Sequence, residues 1–225
     1  HLLMRLHPLW PETAKRIGEG STFPLDPIPE ADRIEDLKAA LVYKNHKSAD
    51  ENETFIDTMT NEIRHGWALP LPPDFATSIP EAAAAPHGII SQHTINERGE
   101  ILDKNRMTHD QSFPGAVSKT SVNSRVRDED IIPCLYGHAN TRCIHYIVGC
   151  RQRHPNTRIW LSKVDWKSAY RRQHLNATTA VKSLTQVLID GIWFLIMALR
   201  LTFGGKPCPN EWGSISEPVA DLATD

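Results

Sequence analysis

Disulfide-forming capacity is scarce in this chain. Four cysteines in 225 residues are too few for a cross-linked secreted scaffold, so a reducing intracellular compartment, cytoplasm or nucleus, is the expectation. Long apolar runs are missing too. The longest, Ile192–Leu199, falls far short of the ~20 residues that a membrane span requires, and no membrane partner is expected. The opening His1-Leu-Leu-Met-Arg5 lacks the basic-then-apolar layout of a signal peptide. Charge of one sign is absent: 25 basic against 27 acidic side chains, a formal net charge of −2, exclude a whole-chain basic field for nucleic acid and leave room only for a local one. No Gly-x-Ser-x-Gly turn, phosphate-binding glycine loop or dinucleotide fingerprint occurs, which removes the triad hydrolase and those two nucleotide-binding frameworks.

What is present is an ordinary globular composition, 40% hydrophobic and 23% charged, in a length that can bury one core with an appendage. The chain begins with His and ends at Asp225 inside a helical pattern, so a fragment is expected. Residues 1–29 carry five prolines and the Gly18-Glu-Gly20 pair and read as a loosely ordered segment. Residues 30–85 read as a helical region and linker. Ile34, Leu37 and Leu41 mark one helix from about Glu30. Phe55, Ile56, Met59 and Ile63 mark a second from Glu51 to His65, with Asp50 or Asn52 as its cap. Pro70, Pro72 and Pro73 then break regular structure, and Glu81–Pro86 is a spacer.

From residue 86 onward the pattern changes. Residues 88–95 and 100–110 form a hairpin around the tip Asn96-Glu-Arg-Gly99. A helix over 139–151 has Ile144, Ile147 and Val148 as its inner stripe and leads into a strand, Ile159-Trp160-Leu161 with Val164, that ends at Asp165. A turn or short helix over 176–180 precedes two strands, 183–189 and 192–199, hinged at Asp190-Gly191. Pro209 opens a last helix, with Trp212, Ile215, Val219 and Leu222 on its stripe.

One local basic cluster stands out: Arg151, Arg153, His154, Arg158, Lys163, Lys167, Arg171 and Arg172, opposed only by Asp165. A carboxylate at a strand end, beside small Ser168 and Ala169, offers oxygen ligands and space for a divalent cation and a phosphate-bearing ligand. Cys134, His138, Cys143, His145 and Cys150 are soft ligands, but without a Cys-x₂-Cys pair, and no zinc is expected.

Three stretches resemble reverse transcriptases of the retrotransposon type. Lys104-Asn-Arg106-Met-Thr-His-Asp110 is similar to their fingers segment, Leu161–Arg172 to the first palm motif, an Asp followed five residues later by an aromatic, and Leu201-Thr-Phe203-Gly204-Gly-Lys-Pro-Cys-Pro209 to the next palm motif. Phe203 follows Asp165 by 38 residues, close to the family's interval, and the resemblance covers residues 86–225. It implies an α+β fold: a right-hand polymerase fingers hairpin and a partial antiparallel palm sheet with packed helices. It also implies two-metal nucleotidyl transfer of deoxynucleotides onto a primer–template. Asp165 is then the catalytic metal ligand with the Trp166 backbone carbonyl beside it. Arg106 and Asp110 belong to the triphosphate site, Tyr170 stacks under the sugar, and Phe203 and Gly204 lie beside the nascent base pair. Arg98, Lys167, Arg171 and Arg172 are further triphosphate or template contacts, or merely solvated side chains.

The implied cofactor is Mg²⁺, two ions in a complete enzyme. The family's paired aspartates have no counterpart, since the chain contains no Asp-Asp, so this piece is expected to be inactive alone. Lys206, and Cys208 where alanine is usual, depart from the pattern. The competing expectation is a non-enzymatic mobile-element remnant that at most binds nucleic acid through residues 151–172.

Overall fold

The computed structural model describes residues 6–50, 52–133, 139–161 and 165–224. The architecture is α+β, with small antiparallel sheets and several helices. In order the elements are α1 (Trp10–Glu19), α2 (Glu30–Tyr43), α3 (Glu53–Arg64), β1 (Ala68–Leu71), β2 (His87–Ile95), β3 (Ile101–His109), α4 (Ala139–Arg153), α5 (Ala177–Ala180), β4 (Leu184–Ile189), β5 (Ile192–Ala198) and α6 (Cys208–Thr224). Strands β1, β5 and β4 form one antiparallel sheet in that order, and β2 and β3 form a separate ribbon.

The hairpins follow from their turns. Asp190 and Gly191, at φ 51° and 78°, supply the two left-handed residues of a tight β4–β5 connection. Gly99, at φ 79°, closes the β2–β3 tip, where the Asn96 side chain accepts from the Arg98 and Glu100 amides. The ribbon runs in register from Ile95 opposite Ile101 down to His87 opposite His109. Its root is buried and its outer length exposed.

Helix α3 begins at Asn52, whose side chain accepts from the Thr54 amide, as its capping chemistry predicts. Phe55 and Met59 pack with Ala68, Val187 and Ile196, and with Ile89 and Met107 of the ribbon root, so this one helix joins sheet to ribbon. A second cluster places Leu37 of α2 with Ala76, Ala82, Leu184 and Leu195. A third gathers Phe23, Val126, Leu175, Ala180, Leu201 and Cys208.

Several expectations are corrected. Residues 6–29 are not loosely ordered. Pro11 sits in the first turn of α1, where a missing N–H costs nothing, and the segment is anchored by polar contacts. The Thr13 hydroxyl donates to the Ser214 carbonyl at 2.7 Å, Arg16 pairs with Glu211 at 2.9 Å, and Ser21 bridges Leu175. These contacts also turn α6. Glu211, Ser214 and Glu217 are buried, while Trp212, Ile215 and Val219 are only half-buried.

Pro70 does not end regular structure either. It lies in β1 opposite Ile196, and β1 is an edge strand, where proline is tolerated. The spacer over 81–86 is part of the core. Ala82 and Ala85 are buried, and backbone bonds from Ala85 to Leu184 and from Leu184 to Ala83 lay it along β4.

That strap and β1 occupy both flanks of the β4–β5 hairpin, so the run at 159–161 finds no strand to pair with. It is irregular and exposed, with Trp160 at 82%; Val164 lies outside the described residues. Helix α4 forms, but its expected inner stripe is not buried: Ile144 and Val148 are exposed and Ile147 is half-buried. Cys143 is exposed and Cys150 half-buried on the same helix, while Cys134 and His138 lie outside the described residues. No helix among the described residues is long and apolar enough to cross a membrane.

Candidate functional site

A cleft of about 590 Å³ opens between the ribbon, α3 and the turns at 165–171 and 203. Its lining includes Lys104 and Arg106 of β3, Thr58 and Glu62 of α3, and Asp165, Trp166, Tyr170, Arg171 and Phe203. Residues from the three stretches that carry the polymerase resemblance therefore meet around one space. Arg106 and Asp165 are exposed at its rim. The chain passes from Asp165 through Ser168, whose backbone is left-handed at φ 55° and ψ 47°, into a short 3₁₀ turn, Ala169–Arg172.

Tyr170 leans on Phe203, with ring centroids 5.9 Å apart and planes 35° apart. Trp166 meets Trp212 of α6 edge-on at 5.5 Å. Both aromatics that follow Asp165 are thus braced by elements from the C-terminal end of the chain.

Arg171 is not a solvated member of the basic cluster. Its Nε donates to Glu62 Oε1 at 2.6 Å, with Glu62 buried and Arg171 half-buried, and its Nη1 donates to the Leu201 carbonyl. Burial pushes the Glu62 carboxyl above its ordinary pKa; the Arg171 charge and hydrogen bond hold it down against that. Glu62 was readable beforehand. It follows Met59 by three residues and Phe55 by seven, which puts an acid on the buried stripe of an otherwise ordinary amphipathic helix.

Other nominated residues fall outside the cleft lining. Asp110 bonds His46 at 3.0 Å and accepts from the Ser112 amide, a loop-building role. Arg98 is at the ribbon tip, Lys167 is exposed, and Arg172 donates to the Lys167 carbonyl. Gly204 sits against the ribbon root. The close approach that its bare backbone allows is taken up by the chain itself. A Cβ at Gly204, where φ is 138°, would overlap the His109 carbonyl oxygen, and the His109 amide donates to the Phe203 carbonyl at 2.8 Å. The Phe-Gly turn is docked on the ribbon root.

That root holds a feature with no motif behind it. His87 and His109 stack at 4.3 Å with planes 9° apart, and both are buried. His87 Nδ1 bonds the Thr185 hydroxyl, and His109 Nε2 the Ala85 carbonyl. Burial lowers both pKa values. His87 falls well below its ordinary range, with further repulsion from His109, Arg171 and His46, and His109 falls to about 4. Two histidines, each eleven residues from Arg98 at the tip, were the available signal.

Lys206 is likewise structural: its Nζ pairs with Asp128 at 2.8 Å and donates to the Val126 carbonyl. Cys208 is buried, which raises its thiol to about 11.

The carboxylates that line the cleft, among the described residues, are Asp165 and Glu62, and Glu62 is committed to Arg171. One remaining carboxylate fits at most a single Mg²⁺ that keeps waters and ligand phosphates in its shell; it does not fit a pair of ions. Among the described residues no group of three or more His, Cys, Asp or Glu side chains is placed to hold a metal. No family model, curated protein or solved structure matches the chain.

Proposed function

We propose that this chain is the fingers and part of the palm of an RNA-directed DNA polymerase, and that its cleft binds a deoxynucleoside triphosphate with Mg²⁺. The observation that carries the reading is the convergence of Arg106, Asp165, Trp166, Tyr170 and Phe203 on one space, from segments with no sequential reason to meet. Arg106 and Lys104 would receive the triphosphate, cations in a partly enclosed site being suited to phosphoryl oxygens. Asp165 and the Trp166 carbonyl would hold the ion, whose chemistry when bound is to neutralise phosphate oxygens. The Tyr170 ring, braced on Phe203, would fill the volume that a 2′-hydroxyl needs. With Asp165 as the one cleft carboxylate, among the described residues, that Arg171 does not engage, this chain would bind nucleotide and primer–template without turning over. A second reading, a remnant that only binds nucleic acid, is favoured by that same lack of a second metal carboxylate.

Equilibrium dialysis with dATP and ATP, with and without Mg²⁺, tests the proposal. Asp165→Asn is expected to remove the Mg²⁺ dependence, and Arg106→Ala to weaken dATP binding at least tenfold. Both residues are exposed, so the circular dichroism spectrum should stay as it was. Tyr170→Ala is expected to bring ATP and dATP affinities together. Absence of any Mg²⁺-dependent binding, or binding indifferent to Asp165 and Arg106, would sink the polymerase reading.

A further inference from the structure

We infer that Glu62 is a positioning residue of the cleft, one that sets discrimination between deoxy- and ribonucleotides by fixing Arg171; this rests on the nucleotide reading above. The Arg171 guanidinium joins three elements that are distant in the sequence. Its own backbone belongs to the turn that carries Tyr170, its Nε holds Glu62 of α3, and its Nη1 holds the Leu201 carbonyl, two residues before Phe203. The two rings that close one side of the cleft, Tyr170 and Phe203, thus stand on the two ends of a single side-chain bridge. Glu62 is its far abutment.

An apolar side chain at position 62 would extend the Phe55–Met59 stripe with less desolvation, since buried ion pairs rarely outperform well-packed hydrophobic residues. What the carboxylate supplies instead is direction. It accepts from Arg171 at 2.6 Å and holds the guanidinium against the Leu201 carbonyl. Two consequences follow. The Tyr170 ring keeps its setting against Phe203. Arg171 is withheld from the ligand, which leaves Lys104 and Arg106 as the cations of the cleft lining that do not face Glu62. Without the Glu62 charge, Arg171 would be buried without its counter-ion, an arrangement that drives a guanidinium toward water. Its neighbour Tyr170 would move with it.

Glu62→Gln keeps the shape of the side chain and removes its charge. The dATP:ATP affinity ratio of this variant is expected to fall at least fivefold toward unity, while Mg²⁺-tripolyphosphate, which has no sugar, binds within twofold of the unchanged chain. A merely structural role would weaken all three probes together. Arg171→Lys is the companion in case Glu62→Gln does not fold: it retains a charge for Glu62 but loses the fork that also reaches Leu201, and the same drop in ratio is expected. If the unchanged chain binds neither nucleotide, the cleft reading falls and takes this inference with it. If the unchanged chain discriminates and both folded variants keep its ratio, or lose tripolyphosphate in parallel, the inference alone is overturned.

Discussion

Gly204→Ala is expected to abolish folding or to lower stability by at least about 4 kcal/mol, among the largest effects a single methyl group can have. Two costs coincide at this position. The backbone is held at φ 138°, where side-chain-bearing residues are strained, and the added carbon would overlap the His109 carbonyl oxygen. Relief by separation is blocked. The His109 amide bonds the Phe203 carbonyl at 2.8 Å, and the Asn123 side chain bonds the Gly204 carbonyl at 2.8 Å. Behind it, a Cβ at Gly205 would stand 2.6 Å from Cys208 Sγ, so the turn has no room to retreat. Gly99 and Gly191 are the controls. Both have positive φ but nothing within 4 Å of an added Cβ, so alanine there should cost only about 1–2 kcal/mol. Urea unfolding of the three variants separates contact from conformational strain; comparable losses at all three would refute the docked-turn description.

Acidification should weaken the fold well above the pH at which ordinary carboxylates titrate. His87 and His109 are neutral in a buried stack against Phe55, Thr185 and Gln111, with Arg171, His46 and Asp110 as the neighbouring charged or titratable groups. Their folded-state pKa values lie below the ordinary imidazole value of about 6.5, so between that value and the folded one the unfolded chain binds more protons. Stability is therefore complete above pH ~6.5 and declines as pH falls toward the folded value. For His109, with a folded pKa of about 4, the full span corresponds to about 3 kcal/mol, and His87 adds to it. Denaturant unfolding at intervals from pH 7.5 to 4.5 should show the decline beginning near 6.5. His109→Gln should flatten the slope in that window; an unchanged slope would mean that the pair is not the titrating element.

What could be read from the sequence was what the chain writes locally. The ribbon, the β4–β5 hairpin and α3 each carry their own punctuation in Gly99, Asp190-Gly191 and Asn52, and each forms where that punctuation places it. The elements that escaped depend on partners. Helix α1 is held through Thr13 and Arg16 on α6, polar contacts that no periodicity reveals. Strand β1 includes Pro70, which only its edge position makes acceptable. The spacer over 81–86 became core because β4 had an open flank, and with β1 on the other side the described run at 159–161 stays unpaired.

The cleft divides along the same line. Arg106, Asp165, Tyr170 and Phe203 came from motif order, and they line one space. Glu62, the Arg171 bridge and the histidine stack arise from tertiary packing; the misplaced acid on the α3 stripe and the placement of the two histidines about the ribbon tip were their local hints. Gly204 was singled out for a ligand contact; within the fold its bare backbone admits the His109 carbonyl.

If three distant stretches form one nucleotide-binding cleft, Mg²⁺-dATP should slow hydrogen exchange at residues 104–107, 165–171 and 202–204 alone, all three together, and should not do so in Asp165→Asn. Protection elsewhere in the chain, at only one of the three stretches, or unchanged in the Asp165 variant would contradict that reading.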